Sequence, residues 1–172
     1  ATNPPRVILS FDLMDKSDIM RLHSTGDCFV SAHRGEGWGI PIAEALALGN
    51  PVITTNLGGI HEWLEDNKTA YLVKWTKENV HGMSWAPHYG EDQHWAEIDQ
   101  EDLRKRMRFV FEHPADATHL GLQGKKLAEQ KFAYPVVGQL LKNRLLDIQR
   151  VMNKHRAGKV HKKENEEEKR DE

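Results

Sequence analysis

Glu36 and Glu44 are the two residues between positions 31 and 59 whose type and spacing best suit chemistry. Glu36 lies in a glycine-rich stretch, and Glu44 follows one turn into a predicted helix. An ionised carboxylate only accepts hydrogen bonds, and it can accept two O–H donors at once. Both acids therefore suit neutral hydroxyl groups, whereas charge repulsion keeps a carboxylate away from a phosphate.

A phosphate site is predicted between the two acids. Gly35, Gly37 and Gly39 precede the helix and allow a bulky anion to approach the backbone. The unsatisfied N–H groups and the positive dipole end of the helix favour a phosphate or diphosphate there. Arg34 supplies a cation beside it. An anion site flanked by two hydroxyl acceptors fits a nucleotide sugar, whose diphosphate lies between a ribose and a hexose.

The elements that position these residues form a strand–loop–helix–strand unit. The apolar run 28–30 predicts a buried strand, Pro41 suits the first turn of a helix, and residues 52–55 predict a second strand. Open α/β sheets bind ligands at the carboxyl ends of their strands. Gly58 and Gly59 follow the second strand, so we expect them to let the backbone approach the same ligand.

The glycine run is also compatible with a tight turn that binds no ligand. A dinucleotide fingerprint requires G-x-G-x-x-G, and the spacing of Gly35, Gly37 and Gly39 differs at its last step. The ten histidines lack the spacing of metal ligands, so no metal site is predicted. We interpret His33 and His61 as structural.

Residues before and after this unit predict further strands and a helix. Residues 7–11 are apolar and predict a short strand. The helix that follows is capped by Asp15 or Ser17 and ends at Gly26. Residues 74–98 have no clean period, and they predict a loop with one or two short strands.

Three helices are predicted after residue 98. The first begins at an Asp99 N-cap, the second spans about 116–131, and the third opens at Pro135. Residues 154–172 are mostly charged and predict a helical extension or a disordered tail. Apolar residues recur at helical spacing along the third helix, and we interpret that stripe as core. The stripe consists of Val137, Leu140, Leu141, Leu145, Ile148 and Met152.

The composition is that of an ordinary soluble protein. It is 38% hydrophobic and 29% charged with a net charge of −2, which argues against a nucleic-acid partner. The single cysteine, Cys28, excludes a disulfide framework and favours a cytoplasmic location. No segment predicts stable membrane insertion. We expect residues 1–153 to form one domain and, because the chain starts at Ala1, to be part of a longer protein.

The stretch from Glu36 to Gly59 closely resembles a signature of known glycosyltransferases. Its segment EGWGIPIAE matches the E-x7-E pattern, and the residues ALALGNPVITTNLGG continue the match. The pattern is typical of retaining GT-B glycosyltransferases, especially family 4, the glycosyl transferases group 1. The resemblance covers roughly residues 5–150 and is most specific over 27–73.

This resemblance implies the C-terminal, donor-binding half of a GT-B fold. The fold class is then α/β, a Rossmann-like, doubly wound parallel sheet with C-terminal helices. By the same resemblance, Glu36 is the catalytic residue that holds or orients the transferred sugar, and Glu44 binds the ribose of the donor. The resemblance adds backbone contacts from Gly37, Trp38, Gly39 and Ile40, and the residue pattern itself adds Arg34, Gly58 and Gly59 as donor-binding residues.

The activity implied is transfer of a hexose from a nucleotide diphosphate sugar, with retention, to a glycan, lipid-linked or protein acceptor. The acceptor is expected to bind an N-terminal domain outside this chain, so the isolated chain is expected to be inactive. In the family an Arg and a Lys neutralise the diphosphate, and no residue here can be matched to them. No cofactor or metal is expected, since no D-x-D pair of a metal-dependent GT-A enzyme occurs. Two alternatives remain: a nucleotide-sugar-binding module without turnover, and a nucleotide-sugar epimerase.

Overall fold

The computed structural model describes residues 6–83, 85–86, 89–90 and 92–168, with side chains described up to residue 155. Its contacts divide the chain into two units, residues 1–128 and 129–172. The helices are α1 (Lys16–Thr25), α2 (Ile40–Leu48), α3 (Gln100–Glu112), α4 (Pro114–Phe132) and α5 (Tyr134–Glu168), with a short 3-10 helix at Gly59–Glu62. The strands are β1 (Phe29–Ser31), β2 (Val52–Thr55), β3 (Tyr71–Val73), β4 (Trp75–Asn79) and β5 (His94–Ile98).

A parallel sheet is the centre of the first unit. Its strand order is β1-β2-β3, with Val30 paired to Ile53 and Ile53 paired to Tyr71. The helix α2 connects β1 to β2, because parallel neighbours need a crossover connection. The central strand β2 is buried along its whole length, as parallel strands covered on both faces are. The predicted α/β class, with a parallel sheet and helices, is confirmed.

The strand predicted over residues 7–11 is wrong. These residues have no regular secondary structure, and their apolar side chains are exposed, from 73% at Leu9 to 91% at Phe11. Apolar residues favour a strand only where a neighbouring strand and a packed face are available to them. Neither is available to this segment in the described part of the chain, and β1 is an edge strand of the described sheet.

One cluster of the core of the first unit lies between the sheet and the helices α3 and α4. Ile53 and Val73 contribute from the sheet, and neither side chain is exposed. Burial of such side chains is the main term that stabilises the unit. The cluster consists of Ile53, Tyr71, Val73, Val110, Ala117 and Leu120, with Cys28, Ile98 and Leu103 packed against it.

Side-chain caps begin two of the helices where the sequence predicts them. The Asp15 carboxylate accepts a hydrogen bond from the Asp18 N–H at 2.9 Å, and α1 ends before Gly26. The Asp99 carboxylate accepts from the N–H groups of Glu101 and Asp102 and begins α3. Each cap satisfies backbone donors that the first helical turn leaves unpaired. The predicted Asp99 cap is confirmed, and of the two residues predicted to cap α1 the structure shows Asp15.

Two glycines let α4 pack closely against the end of α2. A Cβ atom at Gly121 would lie 2.2 Å from the carbonyl oxygen of Gly49, and one at Gly124 would lie 2.4 Å from Leu46 Cδ2. Glycine inside a helix costs about 1 kcal/mol relative to alanine, so a packing reason is expected for it. The close approach supplies that reason and fixes the helix that carries Glu44.

The strands β4 and β5 form an antiparallel hairpin, with Trp75 opposite Ile98 and Lys77 opposite Ala96. This confirms that residues 74–98 contain short strands. The second unit consists mainly of α5, and its apolar stripe is exposed, from 41% at Ile148 to 62% at Leu140. The interpretation of that stripe as core is therefore wrong. Within the described ranges, no helix is both long and apolar enough to cross a bilayer.

Candidate functional site

Two loops meet at the carboxyl edge of the parallel sheet. We name residues 32–39, which follow β1, the glycine loop, and residues 56–59, which follow β2, the second loop. The Gly59 N–H donates a hydrogen bond to the Gly37 carbonyl at 3.0 Å. A Cβ atom at Gly58 would lie 2.1 Å from the Glu36 carbonyl oxygen, and one at Gly59 would lie 2.1 Å from the Gly37 oxygen. The two loops are therefore in backbone-to-backbone contact.

This contact gives a physical reason for the glycine pair in the second loop. Gly58 has a φ of 91°, which L side chains rarely adopt, and both glycines leave room for the backbone of the glycine loop. The sequence predicts that Gly58 and Gly59 allow a ligand to approach, and that role stays a prediction. What they demonstrably allow is the approach of the neighbouring loop.

Glu36 turns back onto the start of α2. Its Oε1 atom accepts a hydrogen bond from the Gly39 N–H at 3.1 Å, and the side chain is half-buried. Gly39 is the N-cap of α2 with a φ of 86°. A carboxylate at this position is stabilised by the helix dipole, an effect of about 0.3–1 kcal/mol. In this structure the Glu36 carboxylate occupies the Gly39 amide, and the contact of that amide with a donor oxygen stays a prediction.

Glu44 faces a cation that the sequence pattern did not predict. It lies on α2, one turn after the N-terminus, and its carboxylate is ion-paired with Lys16 at the start of α1. The Glu44 side chain is 20% exposed and the Lys16 side chain is 64% exposed. From the sequence, no residue could be matched to the cations that neutralise a diphosphate. Lys16 brings a positive charge to the predicted ribose site, and only the packing of α1 against α2 places it there.

Trp38 and Ile40 lie on the outer side of the α2 N-terminus. The Trp38 ring is 44% exposed and is tilted against the buried Trp63 ring, with 5.4 Å between the centroids. Ile40, the first residue of α2, is 60% exposed. An exposed apolar surface at a helix N-terminus suits a ligand that has both an apolar and an anionic part.

Arg34 points toward the β4–β5 hairpin. Its guanidinium forms an ion pair with Glu97 at 2.7 Å and lies 4.3 Å from the centroid of the Trp95 ring. The Arg34 carbonyl accepts the Ala96 N–H at 3.0 Å. The sequence predicts that Arg34 is a cation for the donor phosphate. The structure shows that its charge already has a carboxylate partner, a contact between residues too distant in the sequence to predict.

His33 is a further titratable group of the glycine loop. Burial lowers its pKa, and the nearby Glu36 charge opposes that shift. Both ring nitrogens are buried and have no hydrogen-bond partner among the described residues. A neutral ring is consistent with the structural interpretation of this histidine.

Two of the open cavities on the first unit have linings that do not include the two predicted acids. One, of about 820 Å³, is lined by Tyr71, Arg106 and Phe109 near the amino end of β3. The other, of about 1060 Å³, lies beside Arg34 and Glu97 and extends along α3. Neither contains Glu36 or Glu44. Glu36 and Glu44 lie instead on the glycine loop and on α2, at the carboxyl edge of the sheet.

A known protein family matches the part of the chain that carries these two acids. Residues 3–86 match the family model of the glycosyl transferases group 1. The match covers β1, α2, β2 and β3, and with them both loops of the site. It ends before β5 and the C-terminal helices.

Similar solved structures share the fold of a GT-B glycosyltransferase. Anabaena HepE in complex with UDP-glucose superposes with a TM-score of 0.56 at 21% identity, over 76% of this chain and 30% of that one. HepE with UDP gives 0.58 at 20% identity, over 77% and 30%. Sucrose-phosphate synthase from Thermosynechococcus elongatus gives 0.57 at 21%, over 78% and 29%. At these identities the likeness shows the fold.

A similar curated protein is spore coat protein SA of Bacillus subtilis (strain 168). It is 40% identical over 60 residues, which are 33% of this chain and 15% of that protein. This chain therefore spans about 15% of that relative and about 30% of HepE.

Proposed function

We propose that this chain is the donor-binding part of a retaining hexosyltransferase that uses a nucleotide diphosphate sugar. The observation that carries the proposal is the contact between the glycine loop and the second loop at the N-terminus of α2. This contact places Glu36 and the start of the helix at the edge where α/β sheets bind ligands. The group 1 match supports the reaction class, and the UDP-glucose complex of HepE supports the ligand class.

In this proposal each predicted residue keeps a distinct role. Glu36 orients the hexose, Glu44 binds the ribose, and Lys16, its ion-pair partner, binds the adjoining phosphate. The α2 N-terminus stabilises the charge that develops on the departing diphosphate. Amides and side chains around this terminus complete the donor site: Arg34, Gly37, Trp38, Gly39, Ile40, Gly58 and Gly59.

Donor binding then requires one local change at the start of α2. The Glu36 carboxylate holds the Gly39 N–H, so a donor oxygen that takes this amide must displace it. Displacement frees the carboxylate to accept sugar hydroxyl groups, which it can bind in pairs. The same residue thus caps the helix without ligand and contacts the sugar with ligand.

The same proposal includes a reaction that needs no metal and retains the configuration of the transferred sugar. It also includes a glycan, lipid-linked or protein acceptor that is bound by a further domain. We also propose the cytoplasm as its location, because the one cysteine, Cys28, is a free thiol. Binding without turnover, as in a regulatory module, is the outcome that would replace transfer.

Calorimetric titration of the 172-residue chain with UDP, GDP, ADP and UDP-glucose tests donor binding. We expect one nucleotide to bind, and we expect Glu44→Ala to weaken it about tenfold or more, because the ribose loses its acceptor. The matched control is Glu112→Ala, an exposed acid at the end of α3. No binding by any nucleotide, or equal binding by both variants, contradicts the proposal.

Turnover is tested in a protein that carries this chain together with an acceptor-binding domain. Nuclear magnetic resonance of the product reports the anomeric configuration, and EDTA tests metal independence. We expect Glu36→Ala to lower turnover by at least about a hundredfold, since the hexose loses its orienting group. Unchanged turnover, or a product of inverted configuration, contradicts the assigned role.

A further inference from the structure

The β4–β5 hairpin contacts both loops of the proposed donor site. It begins at Trp75, directly after β3, and so starts at the carboxyl edge of the parallel sheet. A two-stranded hairpin is only marginally stable alone, so its contacts with the rest of the unit determine where it sits. Two groups of contacts are present, one to each loop.

The first group joins the hairpin to the glycine loop at Arg34. The Ala96 N–H donates to the Arg34 carbonyl at 3.0 Å, and Glu97 pairs with the guanidinium at 2.7 Å. The Trp95 ring lies 4.3 Å from the same guanidinium, within the range of a cation–π interaction. A backbone hydrogen bond, an ion pair and a cation–π contact therefore all hold Arg34, which lies two positions before Glu36.

The second group joins the hairpin to the second loop at Asn56. The Trp75 indole N–H donates to the Asn56 carbonyl at 2.6 Å. The Asn56 N–H in turn donates to the Val73 carbonyl at 3.0 Å. Both the N–H and the carbonyl of Asn56, the first residue of the second loop, are thus hydrogen-bonded, and the hairpin binds the carbonyl.

We propose that this hairpin is a positioning element for the donor site, with Trp75 and Glu97 as its positioning residues. The inference rests on the proposed function. Neither residue needs to contact the donor: Trp75 holds the backbone carbonyl of Asn56 in the second loop, and Glu97 holds the Arg34 side chain of the glycine loop, before the ligand arrives. Loops without regular structure lose conformational freedom on binding, and contacts that restrict them in advance lower that cost.

The arrangement predicts that the sugar and the nucleotide depend differently on the hairpin. Glu36, the proposed hexose contact, lies two residues after Arg34 in the restrained loop. Glu44, the proposed ribose contact, lies on α2, which is held by its buried side chains and by the close approach of α4 at Gly121. Loosening the hairpin therefore affects the hexose contact and leaves the ribose contact in place.

The test compares Trp75→Phe and Glu97→Gln in the full chain. Trp75→Phe keeps an aromatic ring and removes the N–H donor, and Glu97→Gln keeps the shape and removes the charge. The controls are Trp85→Phe, an indole that is 75% exposed, and Glu101→Gln, an exposed acid paired with Arg104 on α3. Titrations with UDP and with UDP-glucose give the affinity of each variant for both ligands.

We expect both hairpin variants to bind UDP-glucose about tenfold more weakly and to lose clearly less affinity for UDP, since both ligands share the predicted phosphate contacts and only UDP-glucose uses the hexose contact, with no change in the controls. A proportional loss for both ligands, as general destabilisation produces, would overturn the proposal. So would unchanged affinity for UDP-glucose.

Hydrogen exchange of the ligand-free chain separates this inference from the proposed function. We expect faster amide exchange over residues 32–39 and 56–59 in both hairpin variants, with α2 and β2 unchanged. If the parent chain binds no nucleotide, the proposed donor site is wrong. The exchange experiment still shows in that case whether the hairpin restrains the two loops. Equal exchange in variant and parent overturns the restraint itself.

Discussion

At the scale of the residue, the candidate site depends on glycines, which have no side chain, as much as on residues that have one. Gly58 combines a positive φ with a neighbouring carbonyl oxygen, that of Glu36, where its Cβ would lie. Gly82 also has a positive φ, 72°, but nothing lies within 4 Å of a Cβ built there. A comparison of Gly58 with Gly82 therefore distinguishes the free-energy cost of backbone strain from the free-energy cost of displacing the neighbouring loop.

We predict that Gly58→Ala destabilises the chain by about 3–5 kcal/mol, because both costs apply. Gly82→Ala, the matched control, costs at most about 1–2 kcal/mol, since only the left-handed backbone is disfavoured. Urea unfolding followed by circular dichroism measures both. Equal losses for the two variants are inconsistent with close contact between the second loop and the glycine loop.

The Cys28 thiol is predicted to be unreactive at neutral pH. Burial, with a smaller contribution from the Asp27 charge, raises its pKa to about 11. At pH 8 only about one thiol in a thousand is then ionised, and the thiolate is the reactive form. We expect a disulfide reagent to react with the native chain far more slowly than with the chain in urea, and the native rate to rise about tenfold per pH unit up to pH 10. Equal rates in both states at pH 8 contradict the burial.

At the scale of the element, an ion-pair network joins β3 and its preceding turn to α3. Arg106 donates two hydrogen bonds to Asp66, at 2.9 and 3.1 Å, and one to Asp102 at 3.1 Å. Asp102 also accepts the Lys74 N–H at 2.9 Å. Because Lys74 lies between β3 and β4, this network holds the sheet edge from which the hairpin starts.

We predict that Asp102 makes the stability of the chain depend on pH in acid. Burial alone would raise the pKa of Asp102, but the Lys74 N–H and the Arg106 guanidinium outweigh it and lower the pKa below the ordinary 3.8. A lowered folded-state pKa contributes stability above the unfolded value, and that stability is lost as pH falls through the folded value.

Asp102→Asn should therefore be less stable than the parent at pH 7 and lose less stability between about pH 4 and pH 2. Thermal unfolding over this range measures the difference. The control is Asp12→Asn, an exposed acid before α1. If the Asp102→Asn curve runs parallel to that of the parent, the assignment is wrong.

At the scale of the whole molecule, the buried core belongs to the first unit. Every described residue that is both buried and apolar lies at or before Ala128, and the core cluster ends at Leu120. The apolar side chains of α5 are exposed instead. The buried core that supports the candidate site is therefore contained in residues up to the end of α4.

We predict that a chain ending at Phe132, the last residue of α4, unfolds cooperatively with a midpoint within about 5 °C of the full chain, because no core side chain is removed. Differential scanning calorimetry compares the two, and UDP-dependent stabilisation shows whether the site is kept. A non-cooperative transition in the shorter chain would show that the second unit is needed for folding.

Local patterns were enough to predict the elements around the site. Cap residues, glycine and proline punctuation and apolar periods predict α1, α2, β2 and α3, because these signals act over a few residues. The pattern failed at residues 7–11 and at the stripe of α5. In both cases apolar side chains are exposed. The spacing of apolar residues does not indicate whether a partner surface is available to bury them.

Local sequence pattern is sufficient to predict the class of the fold and to locate the candidate site: a glycine loop between β1 and α2, with acids at both ends of E-x7-E. The groups that contact these residues become known from the three-dimensional packing. It paired Glu44 with Lys16, turned Glu36 onto Gly39, and set Arg34 and Asn56 against the hairpin. Such partners come from elements distant in the chain, and their meeting depends on how strands and helices pack, a property that no local spacing encodes.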